Sequence, residues 1–128
     1  MAEPEALAGF LPGRHAIEAY GRGGFRFAGM SHRGSILILP SGIRAWTVEE
    51  PAGITVAALA PALREAEGIE FLLIGTGPTI VPLPDRLRAP FREAGISVDA
   101  MQTGSAARTY NVLLAEERRV AAALIAVD

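Results

Sequence analysis

The segment from Ile69 to Ala100 constrains this chain more than any other. "IEFLLI" (69–74) is an unbroken apolar run of strand length, and "ISVDA" (96–100) alternates, with Ile96, Val98 and Ala100 on one side. Between them Leu87, Phe91 and Ala94 recur at helical spacing over Asp85–Ala94, and Gly95 supplies a stop. Pro90 lies inside that stretch without a backbone donor, so a kink is expected there. Strand, helix and strand in this order make a βαβ unit, whose strands run parallel through a right-handed crossover. The loops after both strands then leave the same sheet edge, where ligands of open α/β sheets bind. "EGIEFLLIGTG" and "AGISVDAMQTG" also match as a candidate internal repeat, each ending in Thr-Gly.

The chain before this unit is β-rich. "HAIEAYG" and "GGFRFAG" alternate and are separated by glycine turns. "GSILILP" has the continuous apolar character of a strand covered on both faces, and "IRAWTV" follows a Pro-Ser-Gly turn. After Thr55 the period changes: Leu59, Ala62, Leu63 and Ala66 share one helical face, with Pro61 disturbing the first turn and Gly68 expected as a left-handed stop. A third helix is expected from Gly104, with Ala106, Ala107, Tyr110, Leu113 and Leu114 as its stripe. The stripe would need apolar residues near position 117, where the chain has Glu116–Arg119. A turn there and a buried strand over Val120–Val127 follow, although propensity alone also permits one long helix. With 128 residues, the chain is expected to hold a flexible N-terminal arm at 1–14 and a single α/β domain at 15–128.

Net charge is -2 and there are no cysteines. The first disfavours nucleic acid as a partner, and the second removes disulfides, thiolate metal sites and cysteine nucleophiles. The N-terminal residues lack the basic start of a secretory signal, and no apolar run approaches bilayer length, so no membrane insertion and a cytoplasmic location are expected. His15 and His32 have no partner at metal-ligand spacing, and no Ser-His-Asp grouping is legible. No metal and no catalytic residues are therefore assigned.

Gly75-Thr76-Gly77 begins like a dinucleotide fingerprint. Ile80 stands where the third glycine belongs, Pro78 removes a donor, and "PTIVPLP" separates the glycines from the helix. A turn that needs positive φ explains the glycines better, and no cofactor is assigned. "TGSAARTYN" is the stronger candidate for an anion. Thr103 or Ser105 is expected to cap a helix whose first N–H groups lack internal partners, with Arg108 one turn in. The candidate ligand site is accordingly Gly75, Thr76, Gly77, Thr103, Gly104, Ser105 and Arg108. The bland alternative is a well-capped helix with Arg108 in an ion pair. Arg44 and Trp46 form a candidate interaction surface, against the alternative of a core tryptophan. "GRGGFRF" has the look of an RNA-binding Arg-Gly segment, but one copy in an acidic chain reads as a hairpin turn.

Several stretches, "FLPG", "IEAYGRGGFRFAGMSHRGSILILPSGIRAW", "LLIGTG" and above all "TGSAARTYNVLLAEERRVAAALIA", together resemble a family of small bacterial and archaeal domains of unknown function. That family includes a mitochondrial complex I assembly factor and an adipogenesis-associated animal protein. The resemblance implies a three-layer α/β domain with a mixed β-sheet, about three helices and a C-terminal strand. It implies no established enzyme activity. The expectation it supports is a non-enzymatic protein-binding module that assists a membrane-associated, respiratory complex through a protein partner. The alternative expectation is a binder of a small anionic ligand, with or without catalysis, between the Thr76-Gly77 and Thr103–Arg108 loops.

Overall fold

The computed structural model describes residues 10–128. The β-rich half contains β1 (Phe10–Pro12), β2 (Ala19–Gly21), β3 (Gly24–Phe27), β4 (Met30–Arg33), β5 (Ile36–Leu39) and β6 (Gly42–Ala45). There follow α1 (Ala60–Arg64), β7 (Phe71–Gly75), α2 (Asp85–Glu93), β8 (Ser97–Met101), α3 (Thr103–Ala115) and β9 (Val120–Leu124).

The βαβ unit forms as its pattern demands. β7 and β8 are parallel, with Leu72 opposite Val98, and β9 pairs in parallel with the other side of β7. β5 runs antiparallel to β9 and joins the two halves in one mixed sheet of order β1-β6-β5-β9-β7-β8. β9 is central and covered on both faces, and the small side chains of Ala121, Ala122 and Ala123 there are fully buried. A second sheet, β2-β3-β4, is a meander. Its two tight turns, Arg22-Gly23 and Ala28-Gly29, have positive φ at both positions, the conformation that suits the twist of a two-residue hairpin.

Three layers result. On one face of the large sheet, Leu72, Ile74, Ala121 and Ala123 pack with Leu59, Leu87 and Phe91 from the α1 and α2 layer. On the other, Ile36, Ile38, Leu73 and Ala122 pack with Ala106, Ala107 and Tyr110 of α3 and with Phe25 and Phe27 of the small sheet. The chain is thus an α/β protein with a mixed sheet, as its sequence and family resemblance imply.

Several local expectations need correction. The arm expected over 1–14 does not stay loose where the structure describes it: Phe10–Pro12 pairs with Gly42–Arg44, and Arg44 lies 5.4 Å over the Phe10 ring. Residues 1–9 lie outside the described residues. The helix expected after Thr55 is a single α-turn flanked by 3₁₀ turns at Ala57–Leu59 and Ala66–Gly68, with Pro61 in its first turn. Gly68 does not adopt positive φ; a side chain there would meet the Pro40 ring at 3.0 Å. α2 contains Pro90, as the expected helix over Asp85–Ala94 did. The turn expected at Glu116–Arg119 and the strand after it both form: α3 ends at Ala115, Glu117 takes φ 62°, and β9 starts at Val120; only its end, at Leu124, falls short of Val127.

Candidate functional site

The loops after β7 and β8 leave one sheet edge and meet, but they leave little room between them. Thr103 is fully buried at the start of α3; its hydroxyl donates to the Ile125 carbonyl at 2.7 Å and accepts the Gly77 N–H at 3.0 Å. The Thr103 N–H donates in turn to the Gly77 carbonyl at 2.8 Å. Thr76 is 2% exposed; its hydroxyl donates to the Thr79 carbonyl at 2.7 Å and accepts the Val81 N–H at 3.0 Å. A side chain at position 75 would stand 2.9 Å from the Thr103 Cα, so that glycine marks a close backbone approach; Gly77, at φ 109°, is the left-handed one. The cap position of α3 is held by Gln102, with no side-chain cap bond, in place of the expected Thr103 or Ser105.

Of the residues expected to hold a ligand, Gly75, Thr76, Gly77, Thr103 and Gly104 are buried, Ser105 is half-buried, and Arg108 is exposed. The structure brings them together, yet it occupies both threonine hydroxyls with backbone partners. Gly104 is covered by Tyr20: a Cβ there would collide with the phenol oxygen. Arg108 donates to the Tyr20 hydroxyl at 3.2 Å and reaches the Ser105 hydroxyl at 3.5 Å. What faces solvent at this corner is therefore Tyr20 and Arg108, beside a concavity of about 350 Å³ that also touches Glu18 and Asn111. Asn111 fastens the strand side of it, accepting the Ile17 N–H and donating to the Ile17 carbonyl, both at 2.8 Å.

Arg44 and Trp46 do not form a common exposed surface. Trp46 is 7% exposed, its indole N–H donating to the Ala58 carbonyl at 2.9 Å, so it belongs to the core as the alternative reading had it. Arg44 is half-buried, and its Nε has no hydrogen-bond partner among the described residues. His15 contacts the Pro12 carbonyl at 2.9 Å. His32 is held below the ordinary imidazole pKa by burial, partly offset by its contact with the Ser35 carbonyl. Tyr110 donates to the His15 carbonyl at 3.0 Å, and burial pushes its phenol up to about 12. Among the described residues, no three His, Asp or Glu side chains are grouped to hold a metal, and no helix is long and apolar enough to cross a membrane.

Sequence reasoning missed Tyr20 and Asn111. Tyr20 lies on a strand too short to show which face is covered, and Asn111 acts across a long sequence separation. The only signal for Asn111 was its place within the "RTYN" stretch.

The model for a family described as proteins of unknown function, DUF498/DUF598, matches residues 17–125. The chain belongs to that family. The structure is similar to the crystal structure of a Bartonella henselae protein described as an outer membrane protein, with a TM-score of 0.88 and 54% identity over 91% of this chain and 98% of that one. It is also similar to a Bordetella pertussis protein described as an Mth938-like domain, with a TM-score of 0.78 and 32% identity over 88% of this chain and 85% of that one. In sequence it is 32% identical to the Xenopus tropicalis NADH dehydrogenase [ubiquinone] 1 alpha subcomplex assembly factor 3, over 85% of this chain. The match spans 60% of that relative's length.

Proposed function

We propose that this chain is a non-enzymatic protein-binding module that assists the assembly or biogenesis of a membrane-associated complex, acting from the cytoplasm. The observation that carries the reading is its sequence similarity to proteins named as assembly factors of a respiratory complex. The closed junction at Thr76 and Thr103 supports it: the polar groups best placed to hold a small ligand already hold the backbone. The test is affinity purification of the tagged chain from its native host, with and without crosslinking. A stoichiometric subunit or assembly partner of a membrane complex is expected. Recovery of the chain alone under both conditions would contradict the reading.

A second reading keeps a small-anion site at the first turn of α3. It is favoured by one observation, the convergence of Arg108, Ser105 and the Tyr20 hydroxyl. A thermal-shift screen with phosphate, nucleotides and carboxylates tests it. At about 100 times Kd a ligand would add about 2.7 kcal/mol, and Arg108→Ala must abolish the shift.

A further inference from the structure

The charge of this chain is unevenly distributed. The whole molecule carries -2, yet residues 14–33, which contain the small sheet, hold four arginines and one glutamate. Strand register places them. Ala19, Arg26 and Ser31 form one row across the small sheet, and Gly21, Gly24 and Arg33 form the next. Residues two apart point to the same side, so both rows share a face, opposite the Phe25 and Phe27 side chains that enter the core. The two glycines leave backbone as the floor of that face. Arg22, Arg26 and Arg33 border a concavity of about 490 Å³ there, which shares Ala19 and Tyr20 with the smaller hollow beside Arg108. Arg22, Arg26, Arg33 and Arg108 are all exposed. Arg26 is paired with Glu18 at 3.6 Å, and Arg108 is held by Tyr20. Arg22 and Arg33 have no ion pair or side-chain hydrogen bond among the described residues.

We propose that this face, running from Arg22 and Arg33 across to the Tyr20–Arg108 pair, docks an acidic segment of a protein partner; the inference rests on the protein-binding reading above and gives that reading its surface. Three observations select this occupant. Arg26 and Arg33 stand on paired strands, Arg22 on the tight turn between β2 and β3, and Arg108 on α3, so the backbone brings four cations to one face. Apolar groups lie among them: Tyr20 is 42% exposed and Val112, one turn along α3 from Arg108, is 55% exposed. Tyrosine and arginine together are the enriched composition of protein interfaces, and a polypeptide carrying both acids and apolar side chains complements such a mixture. Four arginines are few for a long phosphate polyanion, whose binding needs many cations and a basic surface potential.

The test uses the full chain and a short fluorescein-labelled peptide built from Glu, Asp and Leu, with a Lys, Arg and Leu peptide as its counterpart. Fluorescence anisotropy should report binding of the acidic peptide only. Nuclear magnetic resonance titration should place the shifts in residues 19–33 and around Arg108. Arg22→Glu with Arg33→Glu should weaken binding about tenfold or more and leave Tm unchanged, while Arg92→Glu on the opposite layer leaves binding unchanged. Shifts confined to other residues, no binding, or equal loss with Arg92→Glu would overturn the proposal. Tighter binding to single-stranded oligonucleotide or to phosphatidylserine vesicles would overturn it in favour of a phosphate surface. Salt-sensitive dimerisation lost in the double variant would assign the face to a second copy instead. In the native purification, a partner retained equally by the double variant sinks this surface but spares the protein-binding reading. Absence of any partner for the wild type sinks that reading itself.

Discussion

Thr103 uses one hydroxyl twice, donating to Ile125 and accepting from Gly77, at a fully buried position that joins the end of β7, the start of α3 and the exit of β9. Replacement by valine keeps the shape and leaves two buried backbone groups unsatisfied. Thr103→Val should therefore lose about 2–4 kcal/mol of unfolding free energy, and Thr103→Ser no more than about 1 kcal/mol, measured by denaturant titration. Equal stability of all three proteins would show that the hydroxyl does not clamp the junction. Gly75→Ala puts a carbon 2.9 Å from the Thr103 Cα and should cost about 1–3 kcal/mol in the same assay. Tyr110 gives a pH signature. Its folded pKa, about 12, lies above the ordinary phenol value of 10.0, so its contribution is complete below pH 10.0 and is lost as pH rises through about 12. Denaturant midpoints across that interval should fall for the wild type and fall less for Tyr110→Phe.

At the scale of elements, the two hairpin turns of the small sheet carry non-glycine residues, Arg22 and Ala28, at φ 55° and 52°. Alanine tolerates that region poorly, whereas asparagine enters it readily. Ala28→Asn should raise Tm, with a gain of about 0.5–1 kcal/mol, and an unchanged or lower Tm would count against the turn geometry. This region also marks where the sequence stops being legible. The βαβ unit, the interrupted helix at Glu116–Arg119 and the β-rich start could be read because period, glycine and charge all act locally. Gly75 and Gly77 were readable as turn residues, but not as one close approach and one left-handed position, since the first depends on Thr103 arriving from β8. The same holds for Trp46: the strand expected over "IRAWTV" ends at Ala45, and the indole finds its hydrogen-bond partner at Ala58, twelve residues on. The expected ligand site was legible as a meeting of two loops; that its hydroxyls would be occupied by Ile125 and Thr79 could not be seen from either loop alone.

For the whole molecule, the three layers divide the work. The large sheet and its α1 and α2 layer form a sealed core, and the Thr76–Thr103 junction fastens the sheet edge where an α/β protein would ordinarily open a cleft. On the small sheet and the adjoining turn of α3, by contrast, Arg22, Arg26, Arg33 and Arg108 line adjoining concavities that share Tyr20. A protein that resembles assembly factors and gathers arginines around Tyr20 is expected to hold its partner there. The most direct measurement is quantitative recovery of that partner from the native host, using the tagged wild-type chain beside Arg22→Glu with Arg33→Glu at matched Tm. A stoichiometric acidic-segment partner is expected with the wild type, and loss of most of it with the variant. Equal recovery by both, or none by the wild type, would contradict it.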